Sequence, residues 1–219
     1  WLARHSAIEA LGKQKKVTLP ILIRLLRHKT PKVRVAVAQI LQSFASIEGA
    51  REKALAALLQ ALRDKHYLVR RRASESLIAF ARQSKGAAEL LPHFIEVKRD
   101  KDPLVRQYIT QALGLLSFTK KTSRLALRRA LLRQLHDKEA LVSIQAAYAL
   151  HQLIKKEILQ ETGDDKALIA IKKENLLLQK KAMDALIRVF VNGSVGKKSS
   201  VSQLWVKLGP KALDAAPHL

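Results

Sequence analysis

The chain has 219 residues, with 41 Lys and Arg against 18 Asp and Glu, a formal net charge of +23 and a sequence pI near 10.6. A hydrophobic content of 48% excludes a disordered polyelectrolyte, and the absence of cysteine excludes disulfides, zinc ribbons, iron–sulfur clusters and thiol catalysis. The charge excess favours anionic partners: nucleic acid, acidic proteins or an anionic membrane surface. No run reaches the apolar length of a membrane span, and the first residues are not a signal peptide. Trp1 is not an initiator Met and the apolar pattern already runs there, so the chain is expected to be part of a longer one.

Taken in chain order, the sequence repeats. WLARHSAIEALG at the start matches the second half of a unit, with Arg4 at the place of Arg70. Four segments then align: HKTPKVRVAVAQIL from His28, DKHYLVRRRASESL from Asp64, DKDPLVRQYITQAL from Asp100 and DKEALVSIQAAYAL from Asp137. Val33, Val69, Val105 and Val142 mark the phase at spacings of 36, 36 and 37. A weaker copy, LLLQKKAMDALIRVF, puts Leu178 another 36 residues on. Periods of this length signal stacked helical repeats. Within a unit the apolar positions fall at i, i+4, i+8 and i+11, as in Val69, Ala73, Leu77 and Phe80, which is one stripe of an amphipathic helix. The equivalents are Val33, Val37, Leu41 and Phe44, then Val105, Ile109, Leu113 and Leu116. A second helix precedes each, and no strand is predicted.

This places units near 17–48, 49–84 and 85–118, with two more over 119–190 inside an array spanning 1–190. Pro31 and Pro103 sit in the first turn of the second helix, where the missing N–H is harmless. Pro20 and Pro92 fall within the first helix, which they are expected to bend or restart. Gly12, Gly49 and Gly86 recur at the links between units, where a left-handed stop suits glycine. The segment 191–203, VNGSVGKKSSVSQ, is expected to be an inserted Gly/Ser/Lys loop, and 204–219 the start of a truncated further repeat.

A turn Asp, a small residue or Pro, a Val-Arg pair and an Ala/Leu helix resemble the HEAT repeat, in its short bacterial style. The resemblance implies an all-α fold, a right-handed αα superhelix of about five helical hairpins. It also implies that the Val-Arg arginine pairs with the turn Asp, giving a structural ladder of Arg34, Arg70 and Arg106 with Asp64, Asp100 and Asp137. Ser143 and Gln179 depart from that pattern.

Two surfaces are candidates for binding. Flanking the Asp phase are Arg27, Arg63, Arg99 and His136, with Lys172, and on the other side Lys29, Lys65, Lys101 and Lys138. Together they would form a cationic ridge that phosphate backbones bind without sequence specificity, or else a row of cations complementing helix C-termini. The second helix usually lines the concave face in resembling proteins. Its outward positions include Arg71, Arg72, Tyr108, Gln111, Ile144, Tyr148, Lys180 and Lys181, of which Tyr108, Tyr148 and Arg71 are the best anchors.

No catalytic or metal site is predicted, and no cofactor. The seven histidines form no HEXXH, none precedes Glu, and GSVGKKSS lacks the Walker spacing. HEAT-like DNA glycosylases share the charge and architecture, but their Asp flanked by tryptophans has no counterpart. Trp1 and Trp205 stand at the extremities, and Asp184 lacks an aromatic setting. The sequence therefore points to a non-enzymatic scaffold whose partner is another protein, with a nucleic acid or other polyanion as the alternative. The cysteine count leaves the compartment open, an intracellular setting being favoured.

Overall fold

Every regular element among the residues described in the computed structural model (15–83, 87–97, 99–118, 120–160 and 165–208) is a helix. The chain divides into two compact units, with the boundary after Ala112. In the first lie α1 (Lys15–Leu25), α2 (Pro31–Leu41), α3 (Arg51–Ala61), α4 (Tyr67–Arg82) and α5 (Ala87–Val97), followed by α6 (Pro103–Leu115), which crosses the boundary. The second holds α7 (Lys121–Gln134), α8 (Ala140–Gln160), α9 (Asp165–Asn192) and α10 (Val195–Leu208).

The helix pairs follow the repeat. Thr30 stands at the N-cap position of α2 without a side-chain capping bond, with Pro31 in the first turn, and His66 caps α4 by accepting the Leu68 N–H on its Nδ1 at 3.3 Å. The Asp102 carboxylate accepts the Leu104 N–H at 2.9 Å, just ahead of Pro103. Pro20 and Pro92 lie inside α1 and α5, and Gly49 has φ of 77°, the left-handed geometry that suits glycine at the link before α3. Gly12 and Gly86 lie outside the described residues.

The apolar stripe is the core. Val37, Leu41 and Phe44, then Val69, Ala73, Leu77 and Phe80, then Val105, Ile109, Leu113 and Leu116 are all buried. So are Val142, Ala146, Leu150 and Leu153 in the fourth unit; only Val33, the first of the series, is half-buried. In the first unit α2 packs on α4, α3 on α4, and α1 on both α2 and α3. In the second, α8 packs on α7, α9 and α10.

Two expectations near the C-terminal end are corrected. The fifth repeat is not a hairpin: α9 runs unbroken for 28 residues through Lys172 and Leu178. Its KKEN stretch offers no proline, glycine or turn aspartate, so nothing terminates the first helix. The segment 191–203 is not a loop either, because helix resumes at Val195 and only Gly193 and Ser194 interrupt it. The lysines and Gln203 are adequate helix formers once the chain has turned.

Gly114 holds another close approach. A Cβ placed there would lie 2.6 Å from the Ala149 Cβ and 3.1 Å from its Cα, so α6 and α8 meet at backbone distance. Gly114→Ala should gain up to about 1 kcal/mol from helix propensity. It is nevertheless expected to destabilise by a net of about 1–3 kcal/mol, because the neighbour is backbone-level and cannot swing away. A urea midpoint at or above wild type would contradict that contact.

Candidate functional site

Each turn between paired helices is built on one polar side chain at the Asp phase. Asp64 accepts the His66 N–H at 2.8 Å, Asp100 the Asp102 N–H at 2.9 Å, and Asp137 the Glu139 N–H at 2.8 Å. In the first hairpin the Nδ1 of His28 replaces the carboxylate and accepts the Thr30 N–H at 3.1 Å. These local bonds fix the chain reversal without a glycine.

Consecutive turns of the first unit are joined by arginines from the following helix. Arg34 grips Asp64 with two parallel bonds, Nε to Oδ2 at 2.7 Å and Nη2 to Oδ1 at 2.8 Å. Its Nη1 donates to the carbonyls of His28 and Lys29 at 2.8 and 3.2 Å. Arg70 repeats the arrangement on Asp100 at 2.7 and 3.0 Å, with the carbonyls of Asp64 and Lys65 at 3.0 and 3.4 Å. Arg106 donates to the carbonyls of Asp100 and Lys101 at 2.8 and 3.3 Å. The guanidinium fork suits both tasks. In the fourth hairpin Ser143 reaches only the Asp137 carbonyl, at 3.1 Å.

Because the rungs hold the turns side by side, the flanking cations of the first unit are brought together. Arg27, Lys29, Lys65, Arg99 and Lys101 are exposed, and none has an ion-pair partner among the described residues. Arg63 is also exposed, but it pairs with Glu96 at 2.7 Å. In the second unit Lys138 lies at its turn and is exposed. Lys172 does not join a turn, since α9 is continuous there; its side chain lies outside the described residues.

The outward positions of the second helices are less open than phase alone suggests. Arg71 donates to the buried Asp102 at 2.7 Å, and Arg72 pairs with Glu75 at 2.8 Å. Tyr108, Gln111 and Tyr148 are half-buried, and Ile144 is buried, while Lys180, Lys181 and Asp184 on α9 are exposed. Ile144 is therefore core: a helix held between neighbours on two sides buries more than one stripe.

Sequence reasoning missed Tyr67. It begins α4 two residues after Lys65 and is 46% exposed, with Leu68 next to it at 41%. The His66 ring stacks on Tyr67 at 5.2 Å, and the Arg71 guanidinium lies 4.7 Å from the tyrosine centroid. An aromatic one residue before an alternating Leu-Val step was the available signal, hidden because Tyr67 precedes the stripe. Among the described residues no group of three His, Asp or Glu side chains could hold a metal ion, and no helix is long and apolar enough to cross a membrane.

A family model described as HEAT repeats matches residues 1–79. No curated protein matches the chain. Among solved structures, a chain of the complex of CpcE and CpcF of phycocyanin lyase from Nostoc sp. PCC7120 is similar at 21% identity, over 74% of this chain and 98% of that chain, with a TM-score of 0.45.

Proposed function

We propose that this chain is a scaffold of HEAT-like repeats that docks a protein partner on the turn edge of its first unit. The observation that carries this reading is the exposed Tyr67–Leu68 step after the turn that carries Lys65, with exposed Lys29 and Lys101 on the two turns tied to that one by Arg34 and Arg70. Apolar and aromatic surface held rigid by stacking, with a cationic surround, is the composition of a protein-binding hot spot. The ladder supports it by fixing the turns, so that little order has to be gained on binding. An acidic rim on the partner would complement the cations and speed encounter.

The test is affinity capture from nuclease-treated extract, comparing wild type with Tyr67→Ala/Leu68→Ser. At least one protein should be retained by wild type and reduced tenfold or more on the variant. Capture indifferent to the substitution, or abolished by the nuclease, would overturn the reading.

The unpaired cations also favour a second reading, polyanion binding. It predicts affinity for duplex DNA that falls by about 0.9 log units per log unit of salt for each phosphate contacted. Anisotropy titrations of a labelled duplex at two salt concentrations test it: no binding at the lower salt, or an affinity indifferent to salt, would overturn this second reading.

A further inference from the structure

The fourth turn differs from the three before it in a way that opens a cleft. In the earlier turns an arginine fills the space beside the two turn carbonyls, as Arg34, Arg70 and Arg106 do. Ser143 stands at that position in the fourth, and its hydroxyl reaches only the nearer carbonyl. Opposite it stand the C-terminal end of α9 and the start of α10, not another helix-pair turn. What remains is an open cleft of about 440 Å³ between the Leu135–Lys138 turn, the C-terminal end of α9 and the start of α10. That volume is within the range of ligand-sized pockets.

The cleft has an apolar wall and a cationic rim. Leu135 and Val189 line it together with Lys138, Arg188, Asn192 and Lys197. Neither the Lys138 ammonium nor the Arg188 guanidinium has a partner among the described residues, and Lys197 lies a loose 3.8 Å from Glu139. The acids at hand are Glu139 and Asp137, the latter already accepting the Glu139 N–H. Gly193 makes the assembly possible: a Cβ there would collide with the Val189 carbonyl and lie 3.0 Å from the Lys197 Cβ. Only without that side chain does α10 start close enough to α9 to bring Lys197 to the rim.

We infer that this cleft receives the carboxylate of an acidic peptide segment of the partner, with its short aliphatic stem against Leu135 and Val189. The inference rests on the reading that the partner is a protein, and it adds a second point of attachment on the other unit of the chain. Charge complementarity identifies the occupant: Lys138, Arg188 and Lys197 line the cleft against one acid, Asp137, which together with Leu135 and Val189 suits a carboxylate on a methylene stem.

The probe is a fluorescein-labelled hexaglutamate peptide, titrated by anisotropy into the full chain. Arg188→Ala/Lys197→Ala should weaken binding at least tenfold, about 1.4 kcal/mol. Val189→Trp should do the same by filling the slot, with no change of net charge. Lys29→Ala/Lys65→Ala/Lys101→Ala should leave the affinity within twofold, and circular dichroism should show all three variants fully helical. Three results would overturn the cleft: no binding by wild type, full binding by Val189→Trp, or loss confined to the turn lysine variant. Each leaves the scaffold reading standing, because that depends on capture through Tyr67 and Leu68.

Discussion

Replacing Arg34 with alanine is expected to cost about 3–5 kcal/mol, the range for removing one partner of a buried ion pair. The Arg34 and Asp64 side chains are only 6% and 13% exposed, and the substitution strips a bidentate carboxylate bond and two carbonyl bonds at once. For a chain of this length that is roughly 6–20 °C in melting temperature. Much of the loss is the burden of leaving Asp64 buried and unpaired, so Arg34→Met/Asp64→Asn, which removes the charge and keeps an acceptor for the His66 N–H, should recover part of it. Acid provides an independent check. Burial alone pushes the Asp64 carboxyl up, but the Arg34 guanidinium and the His66 N–H outweigh it and hold the group below the usual carboxylate range. A carboxyl depressed on folding stabilises fully above its unfolded pKa, about 3.9, and that contribution disappears as pH falls through the folded value. The gap between wild type and Arg34→Ala should therefore narrow below about pH 4. A gap constant with pH, or a melting temperature unchanged at neutral pH, would mean that the rung does not hold the turns.

The rungs and the core stripe were legible because both are periodic. A Val-Arg pair every 36 residues pointed to an arginine column, and the Asp phase supplied carboxylates at the right interval. Arg71 reads as an anchor because it stands two residues after Val69, where two steps turn the side chain by about 200° from the core stripe. That turn does not carry it to open solvent but to Asp102, two residues past the rung carboxylate. Nothing local distinguishes Arg71 from Arg72, whose partner Glu75 lies on the same helix. Ile144 misled for a related reason, since its burial comes from a neighbouring helix that its own periodicity does not record.

The far end was less legible because its signals are absences. A missing turn at Lys172 and a missing arginine at Ser143 each look like a weakened repeat. In space Ser143 borders the cleft, and the C-terminal end of α9 forms its opposite side. Gly193 looked like part of a loop when read with its neighbours Ser194 and Gly196. Its role is steric: it sets how closely α10 can start behind α9. Arg188, Asn192 and Lys197 were therefore not recognised as one group, although each lies at or beside a helix boundary.

Phe80→Ala is the other substitution with a large expected effect, about 3–5 kcal/mol. Phe44, Phe80 and Leu116 share one repeat phase and are 0%, 0% and 1% exposed, so each closes the apolar stripe of its repeat at the same depth. Phe80 has the further task of lying under the Arg51 guanidinium, 5.7 Å from its centroid, in a setting where Arg51 is itself buried. Alanine would leave a cavity and take away the ring face that favours the cation. Leucine, which the next repeat uses at Leu116, should cost only about 1–2 kcal/mol, because it keeps most of the volume and forfeits mainly the ring. Repeat arrays are stabilised chiefly by nearest-neighbour packing, so amide exchange in α3 and α4, the elements that meet at this ring, should accelerate first. Urea melts and amide exchange on both variants check the ordering. If alanine and leucine proved equal, the cavity would be negligible, and the 36-residue phase would specify hydrophobicity alone rather than a ring-sized site.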